Sequence, residues 1–248
     1  MASRSNGAHL DFTGRTVLVT GGTKGIGRVI AETFGKAGAD VVVCARSEPA
    51  QPPPGVFVQT DVRDPAACRA LVAAAADRFG RLDVLVNNAG GSPDADATTV
   101  SPRFVEKIVA LNLLAPFYVA QAANEVMQGQ ESGGSIVNIG SVSGIDPQPG
   151  TAAYSAAKAG LRTLTQALAL EWGPAVRVNH ITAGLIRTET TDYTEQTASL
   201  IPLGRLATPE DVANACTYLA SDLAGYVTGA DLAVHGGGEV PARFVVNP

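Results

Sequence analysis

Short runs of β-branched and other apolar residues alternate along this chain with longer Ala- and Leu-rich stretches of helical period. The short runs at 16–20, 41–44, 56–59, 84–87, 135–139, 176–181 and 232–234 read as strands, and the stretches at 26–37, 65–79, 102–127, 152–172 and 209–219 read as helices. Three of those helices open on Asp64-Pro65, Ser101-Pro102 and Thr208-Pro209. Each is a capping side chain followed by Pro at the first helical position, where its missing N–H costs nothing. The alternation predicts an α/β chain: a doubly wound parallel sheet of seven strands wrapped by helices, one domain over 1–248. Between the second and third strands lies only 45–55, with Pro49, Pro52, Pro53 and Pro54. A parallel crossover normally needs a dozen or more residues including a helix, so the helix there is expected to be reduced to an extended loop.

Composition narrows the function classes. A chain of 248 residues with 46% hydrophobic and 17% charged residues can bury a substantial core. Its net charge of −5, with no basic stripe, argues against nucleic-acid binding. Cys44, Cys68 and Cys216 are scattered without metal-ligand spacing and read as buried thiols in a reducing compartment, with no metal. The opening residues have no apolar signal region, no later run reads as a bilayer span, and residues 1–10 are expected to be flexible. The expectation is a cytoplasmic protein.

Two motifs carry the chemistry. Thr20-Gly21-Gly22-Thr23-Lys24-Gly25-Ile26-Gly27 leaves a strand and opens a helix, which lets backbone N–H groups and the positive helix end meet a pyrophosphate. An NAD site generally adds an Asp or Glu at the end of the second strand, but here that end reads Cys44-Ala45-Arg46. Arg46 and Lys24 are suited instead to a 2′-phosphate, which favours NADP(H). The second motif, Tyr154-Ser-Ala-Ala-Lys158, puts a phenol and an ammonium on one helix face. The ammonium is expected to lower the phenol's pKa towards a useful acid/base range. Ser141, just past the fifth strand, can orient a carbonyl and stabilise developing negative charge.

Together with Asp61-Val62, Asn87-Asn88-Ala89-Gly90, Asn112 in Leu111-Asn-Leu and Val178-Asn179, these motifs resemble the classical short-chain dehydrogenase/reductase family over nearly the whole chain. The resemblance implies a Rossmann fold and an NADP(H)-dependent oxidoreductase interconverting a carbonyl and a secondary alcohol. It implies Tyr154 as general acid/base, Ser141 as its orienting partner, and Lys158 holding the nicotinamide ribose as well. Asn112 would anchor a water leading from Lys158 towards solvent. Cofactor contacts are implied for Gly21, Thr23, Lys24, Gly25, Ile26, Gly27, Arg46, Asp61, Val62, Asn88, Ala89, Gly90, Tyr154, Lys158, Gly184, Ile186 and Thr188, with a structural role for Asn87 or Asn88 left open. It also implies a homotetramer through the helices at 102–127 and 152–172. The family usually shows Pro-Gly after the sixth strand; here it is Ala183-Gly184, which frees the backbone before the substrate loop.

The segment 185–203 is expected to form a substrate lid, polar and acidic with Glu189, Asp192, Glu195 and only Arg187 as a cation. Asp146 and Gln148 fall where substrate contacts are common in the family, whereas His180 and His235 read as structural. One frequent role of such relatives is reduction of 3-oxoacyl groups on acyl carrier protein, an acidic partner whose docking needs cations. The stretch 125–131 carries Glu125 and Glu131 instead, so a small free carbonyl or alcohol is the expected substrate. Two other classes stay open at this stage, a catalytically silent dinucleotide sensor and an epimerase or dehydratase using its cofactor transiently.

Overall fold

Seven strands pair side by side in the order β3-β2-β1-β4-β5-β6-β7, every neighbour parallel. They are β1 (Thr16–Thr20), β2 (Asp40–Ala45), β3 (Val56–Gln59), β4 (Val84–Asn87), β5 (Gly134–Ile139), β6 (Val176–Ala183) and β7 (Asp231–Val234). The structure, a computed structural model, describes residues 10–189, 191 and 193–238. The order reverses between β1 and β4, so a crevice opens beyond the carboxyl ends of these strands, where doubly wound sheets bind ligands.

Alternate strand residues point to opposite faces, and each face finds its own helical layer. Val17, Val19, Val43, Val86 and Ile181 pack under Ile30 and Phe34 of α1 (Gly25–Lys36) and under Val212, Cys216 and Leu219 of α7 (Pro209–Ala220). Leu18, Leu85, Ile136 and Val178 pack under α2 (Pro65–Phe79), α4 (Ala115–Gln128) and α5 (Ala152–Trp172) through Leu71, Val119, Ala123 and Leu168. All three cysteines are free and buried.

The caps form largely as the sequence implies. The Asp64 carboxylate accepts from the Ala66 N–H at 2.8 Å, and the Ser101 hydroxyl from the Phe104 N–H at 3.3 Å. At the start of α7, the Asp211 carboxylate accepts from the Thr208 N–H at 2.8 Å. No helix lies between β2 and β3, in keeping with the proline-rich connection.

The stretch 102–127 departs from one continuous helix. It divides into α3 (Pro102–Val109), a π turn (Ala110–Leu114) and α4. Pro116 cannot donate its N–H and its ring would press on the carbonyl four residues back, and a π turn is one way to accommodate that. Asn112 occupies the turn, donating to the Ile108 carbonyl at 3.0 Å. By length and composition Pro102–Gln128 is apolar enough to cross a membrane, which corrects the reading that no run is. Val119, Ala120, Ala123 and Met127 of this stretch are buried in the core, as in a helix that covers a sheet. A short helix, α6 (Glu195–Ser199), was not apparent from periodicity.

Candidate active site

The turn after β1 is built by close approach. A Cβ on Gly22 would stand 2.6 Å from Val43 Cγ1, and one on Gly27 would stand 2.3 Å from Asn88 Nδ2 and 2.4 Å from the Gly21 carbonyl oxygen. Asn88 stitches this turn to β4: its amide donates to the Thr20 carbonyl at 2.9 Å and to the Gly21 carbonyl at 3.3 Å. The Thr20 hydroxyl accepts in return from the Asn88 and Ala89 N–H groups, each at 3.0 Å. The Asn88 side chain is therefore committed to shaping the turn. Asn87 is structural too, donating to the Pro116 carbonyl and to Asn138 Oδ1.

Past β5, Ser141 opens a single 3-10 turn (Val142–Gly144), and its hydroxyl accepts from the Ser143 N–H at 3.2 Å. Gly144 lies so close to α5 that a Cβ there would be 3.0 Å from the Ala159 nitrogen. That approach brings Ser141 to the face of α5 that carries Tyr154, near enough for its hydroxyl to favour the phenolate. Lys158 is 4% exposed and donates to the Ile139 carbonyl at 2.7 Å. A Cβ on Gly90 would sit 3.3 Å from the Lys158 ammonium and 2.8 Å from Asn112 Oδ1, so these groups crowd one spot. Asn112 clasps Gly91, accepting from its N–H at 2.9 Å and donating to its carbonyl at 3.0 Å.

The electrostatics differ from the sequence expectation in one respect. Burial raises the Tyr154 phenol above its ordinary value, the Ser141 hydroxyl only partly opposing it. Burial also lowers the Lys158 ammonium from 10.5 to about 8. Desolvation disfavours both charged forms, and here it outweighs the expected help of the ammonium to the phenolate.

Among the other expected positions, Val62 and Ile186 point their side chains into the core. The Asp61 carboxylate is paired with Arg63, whose hydrogen bonds hold it below its ordinary value, with Arg46 close enough to add to the effect. Lys24 and Arg46 are both exposed. Gly184 packs on His235, where a Cβ would be 2.7 Å from His235 Cα. Ala183 simply prolongs β6 by pairing with Val234, so the missing Pro does not loosen the strand end. The Thr188 N–H donates to the Thr191 hydroxyl at 2.9 Å, and the base of 185–203 is closed by a bridge between Ile186 and Ala207. Residues 1–9, Thr190, Asp192 and 239–248, with the apolar Phe244-Val245-Val246, lie outside the described residues.

A cavity of about 160 Å³ is lined by Val142, the residue after Ser141, and by Ile145, Asp146, Gln148, Leu185 and His235 among others; Ser141 and Tyr154 are not part of its wall. Asp146 and Gln148, expected at the substrate, both line it, and so does His235.

The family model described as Enoyl-(Acyl carrier protein) reductase matches residues 21–239. Glucose 1-dehydrogenase 2 of Bacillus subtilis (strain 168) is 37% identical over 246 residues, spanning 92% of this chain and 95% of that one. The 3-oxoacyl-[acyl-carrier-protein] reductase FabG of Rickettsia conorii is 36% identical over 241 residues, spanning 92% and 98%. A crystal structure of a candidate short-chain alcohol dehydrogenase from Sinorhizobium meliloti 1021 superposes with a TM-score of 0.85 at 35% identity, covering 92% of this chain and 98% of the other. The chain belongs to the short-chain dehydrogenase/reductase family.

It is accordingly an oxidoreductase of a family that uses nicotinamide dinucleotides. The residues present fit such a group. Gly25 has φ +52° with nothing within 4 Å of a would-be Cβ, and Lys24 places no side-chain cap on the α1 N–H groups. That leaves an open, positively polarised helix end for a pyrophosphate. Sequence reasoning missed the Thr20 hydroxyl and the buried Asn138–Thr165 contact at 2.9 Å, which ties β5 to α5. Both are tertiary pairings between distant segments, with no local signal.

Proposed function

We propose that this short-chain dehydrogenase/reductase is an NADP(H)-dependent enzyme interconverting a small carbonyl and its secondary alcohol, with Tyr154 as general acid/base. The observation that carries the reading is the gathering of Ser141, Tyr154 and buried Lys158 beyond the carboxyl end of β5, with the Lys158 ammonium 5.7 Å from the Tyr154 ring centroid. When bound, the nicotinamide supplies or accepts the hydride at the substrate carbon. Ser141 donates to the carbonyl oxygen and polarises it. Tyr154 delivers a proton to that oxygen in reduction and takes it back in oxidation. The cofactor would be held by Gly21, Thr23, Lys24, Gly25, Ile26 and Gly27 of the turn, by Arg46, Asp61, Val62, Asn88, Ala89 and Gly90, by Tyr154 and Lys158, and by Gly184, Ile186 and Thr188. Asn112 keeps the Gly90–Gly91 turn against Lys158.

Exposed Lys24 and Arg46, with Ala45 in place of an acid, support NADP(H) over NAD(H). Pairing of Asp61 with Arg63 removes the nearby carboxylate that would repel a 2′-phosphate. The lid is 185–203, and the cavity mixes apolar walls with Asp146, Gln148 and His235, suiting an uncharged polar substrate. Exposed Ala156, Ala159, Ala167 and Leu170 make an apolar stripe on α5 that supports subunit packing in a cytoplasmic homotetramer. A panel of ketones and alcohols followed by NADPH absorbance, with light scattering at micromolar concentration, tests the reading. A monomer, or no turnover with any carbonyl, would count against it.

The alternative is a 3-oxoacyl-[acyl-carrier-protein] reductase, favoured by the likeness to the Rickettsia enzyme of that name. Glu125 and Glu131, which in the sequence weigh against an acidic carrier, lie by the amino end of β5, across the sheet from Ser141, so that argument does not carry over to the fold.

A further inference from the structure

Tyr154, Lys158 and Arg162 follow one another at intervals of four and share a face of α5. Two of them tie the helix to the sheet, Lys158 to the Ile139 carbonyl at 2.7 Å and Arg162 to Asp231 on β7 at 2.8 Å, and Tyr154 stands near Ser141 beyond β5. Asp231 is a junction. Its other oxygen accepts from the Thr182 hydroxyl at 2.7 Å and lies 2.8 Å from Nδ1 of His180, both on β6. Burial tends to raise the Asp231 carboxyl, yet its hydrogen bonds to His180 and Thr182 and the charges of His180 and Arg162 bring it below its ordinary value. An ionised carboxylate only accepts, so Nδ1 of His180 is the donor and Nε2 carries the lone pair.

That ring does mechanical work at the catalytic loop. His180 is 2% exposed, and its Nε2 has no hydrogen-bond partner among the described residues. A Cβ on Gly140 would fall 2.1 Å from both Cε1 and Nε2, so the imidazole occupies the space a side chain would take immediately before Ser141. The Gly140 N–H meanwhile donates to the Ile181 carbonyl at 2.7 Å.

We propose that Asp231 is a positioning residue for the Ser141–Tyr154–Lys158 set. It fixes the His180 ring against Gly140 on one side and the Arg162 end of α5 on the other, holding the two halves of the site in register. This rests on the function proposed above. It adds a residue on β7 that touches no reacting atom, and it makes Gly140 and His180 a matched pair of small and large.

The test uses the full chain. In the cofactor-free protein, hydrogen–deuterium exchange over residues 139–144 should quicken in Arg162→Met and return towards wild type in Arg162→Lys. Turnover is read with NADPH and ethyl acetoacetate, and in oxidation with NADP and D-glucose. Arg162→Met should lower kcat about tenfold at unchanged cofactor Kd, since displacing a catalytic group by an ångström can cost on the order of a hundredfold. Gly140→Ala should lower kcat by about that hundredfold, and adding His180→Ala should recover at least about tenfold of it. Should Gly140→Ala fail to fold, the Arg162 pair decides alone, its side chain being 44% exposed and its replacement tolerable. Wild-type exchange at 139–144 and wild-type kcat in Arg162→Met would overturn the proposal, as would a folded Gly140→Ala that His180→Ala does not improve. Tyr154→Phe is the control. If it stays active, the function proposed above falls and this inference with it; if it is inactive while the Arg162 and Gly140 variants match wild type, this inference alone falls.

Discussion

The Lys158 ammonium lies over the face of the Tyr154 ring, 5.7 Å from its centroid, while its own hydrogen bond goes to the Ile139 carbonyl. The pairing that a four-residue spacing suggests is therefore a buried ammonium set against the face of a half-buried phenol. Desolvation sets the protonation of each more than their mutual attraction does.

Tyr154→Phe should lower turnover by about 10²–10⁴-fold, the usual worth of general acid/base catalysis, with NADPH affinity nearly unchanged. Lys158→Ala should weaken both, because it supports the phenol and faces the cofactor crevice. Steady-state kinetics beside fluorescence titration of NADPH separate the two. Retention of more than about a hundredth of the rate in Tyr154→Phe would assign the proton transfer to another group.

The buried Lys158 predicts a pH-dependent stability. Its folded value of about 8 lies below the ordinary 10.5, so the folded protein binds this proton more weakly than the unfolded chain. The destabilisation is complete below pH 8 and is relieved as pH rises from about 8 to 10.5. Over that window it is on the order of 3 kcal/mol for a fully buried group. Lys158→Met should thus melt higher than wild type at pH 7, less the lost hydrogen bond to Ile139, and the gap should narrow by pH 10. A gap that widens with pH would contradict the lowered value.

Cofactor choice is tested at the end of β2. Removing a charge-assisted contact costs about 1.5–3 kcal/mol, so Arg46→Ala with Ala45→Asp should turn preference from NADP(H) towards NAD(H). The readout is the ratio of kcat/KM for the two cofactors. Equal or better turnover of wild type with NADH would end the assignment.

What could be read from sequence was local. The seven β-branched runs name their strands because parallel strands buried on both faces are apolar throughout, and Tyr154 and Lys158 name their helix face by spacing alone. Pro116 carries a local signal for the break at the π turn, but the clasp of Asn112 on Gly91, 21 residues away, has none. Neither has the Asp231 junction, which joins residues 51 and 49 positions apart across β6 and β7. The raised Tyr154 value was missed for a related reason: spacing shows a neighbouring charge, whereas burial is a property of the assembled fold.

The carrier-protein alternative makes the sharpest contrast with the proposed function. If a carrier docks, its acyl thioester should be reduced far better than the same 3-oxoacyl group on a short thiol, because the protein surface adds binding energy remote from the reacting carbonyl. Docking of an acidic carrier needs cations beside the site. Exposed Glu125 and Glu131 lie instead where the chain enters the amino end of β5, across the sheet from Ser141, so their charge does not face a carrier docked at the site. The proposed function expects little advantage for the carrier-linked form. A kcat/KM about a hundredfold above the short-thiol analogue, equivalent to about 2.7 kcal/mol, would establish the reductase of carrier-bound substrates instead.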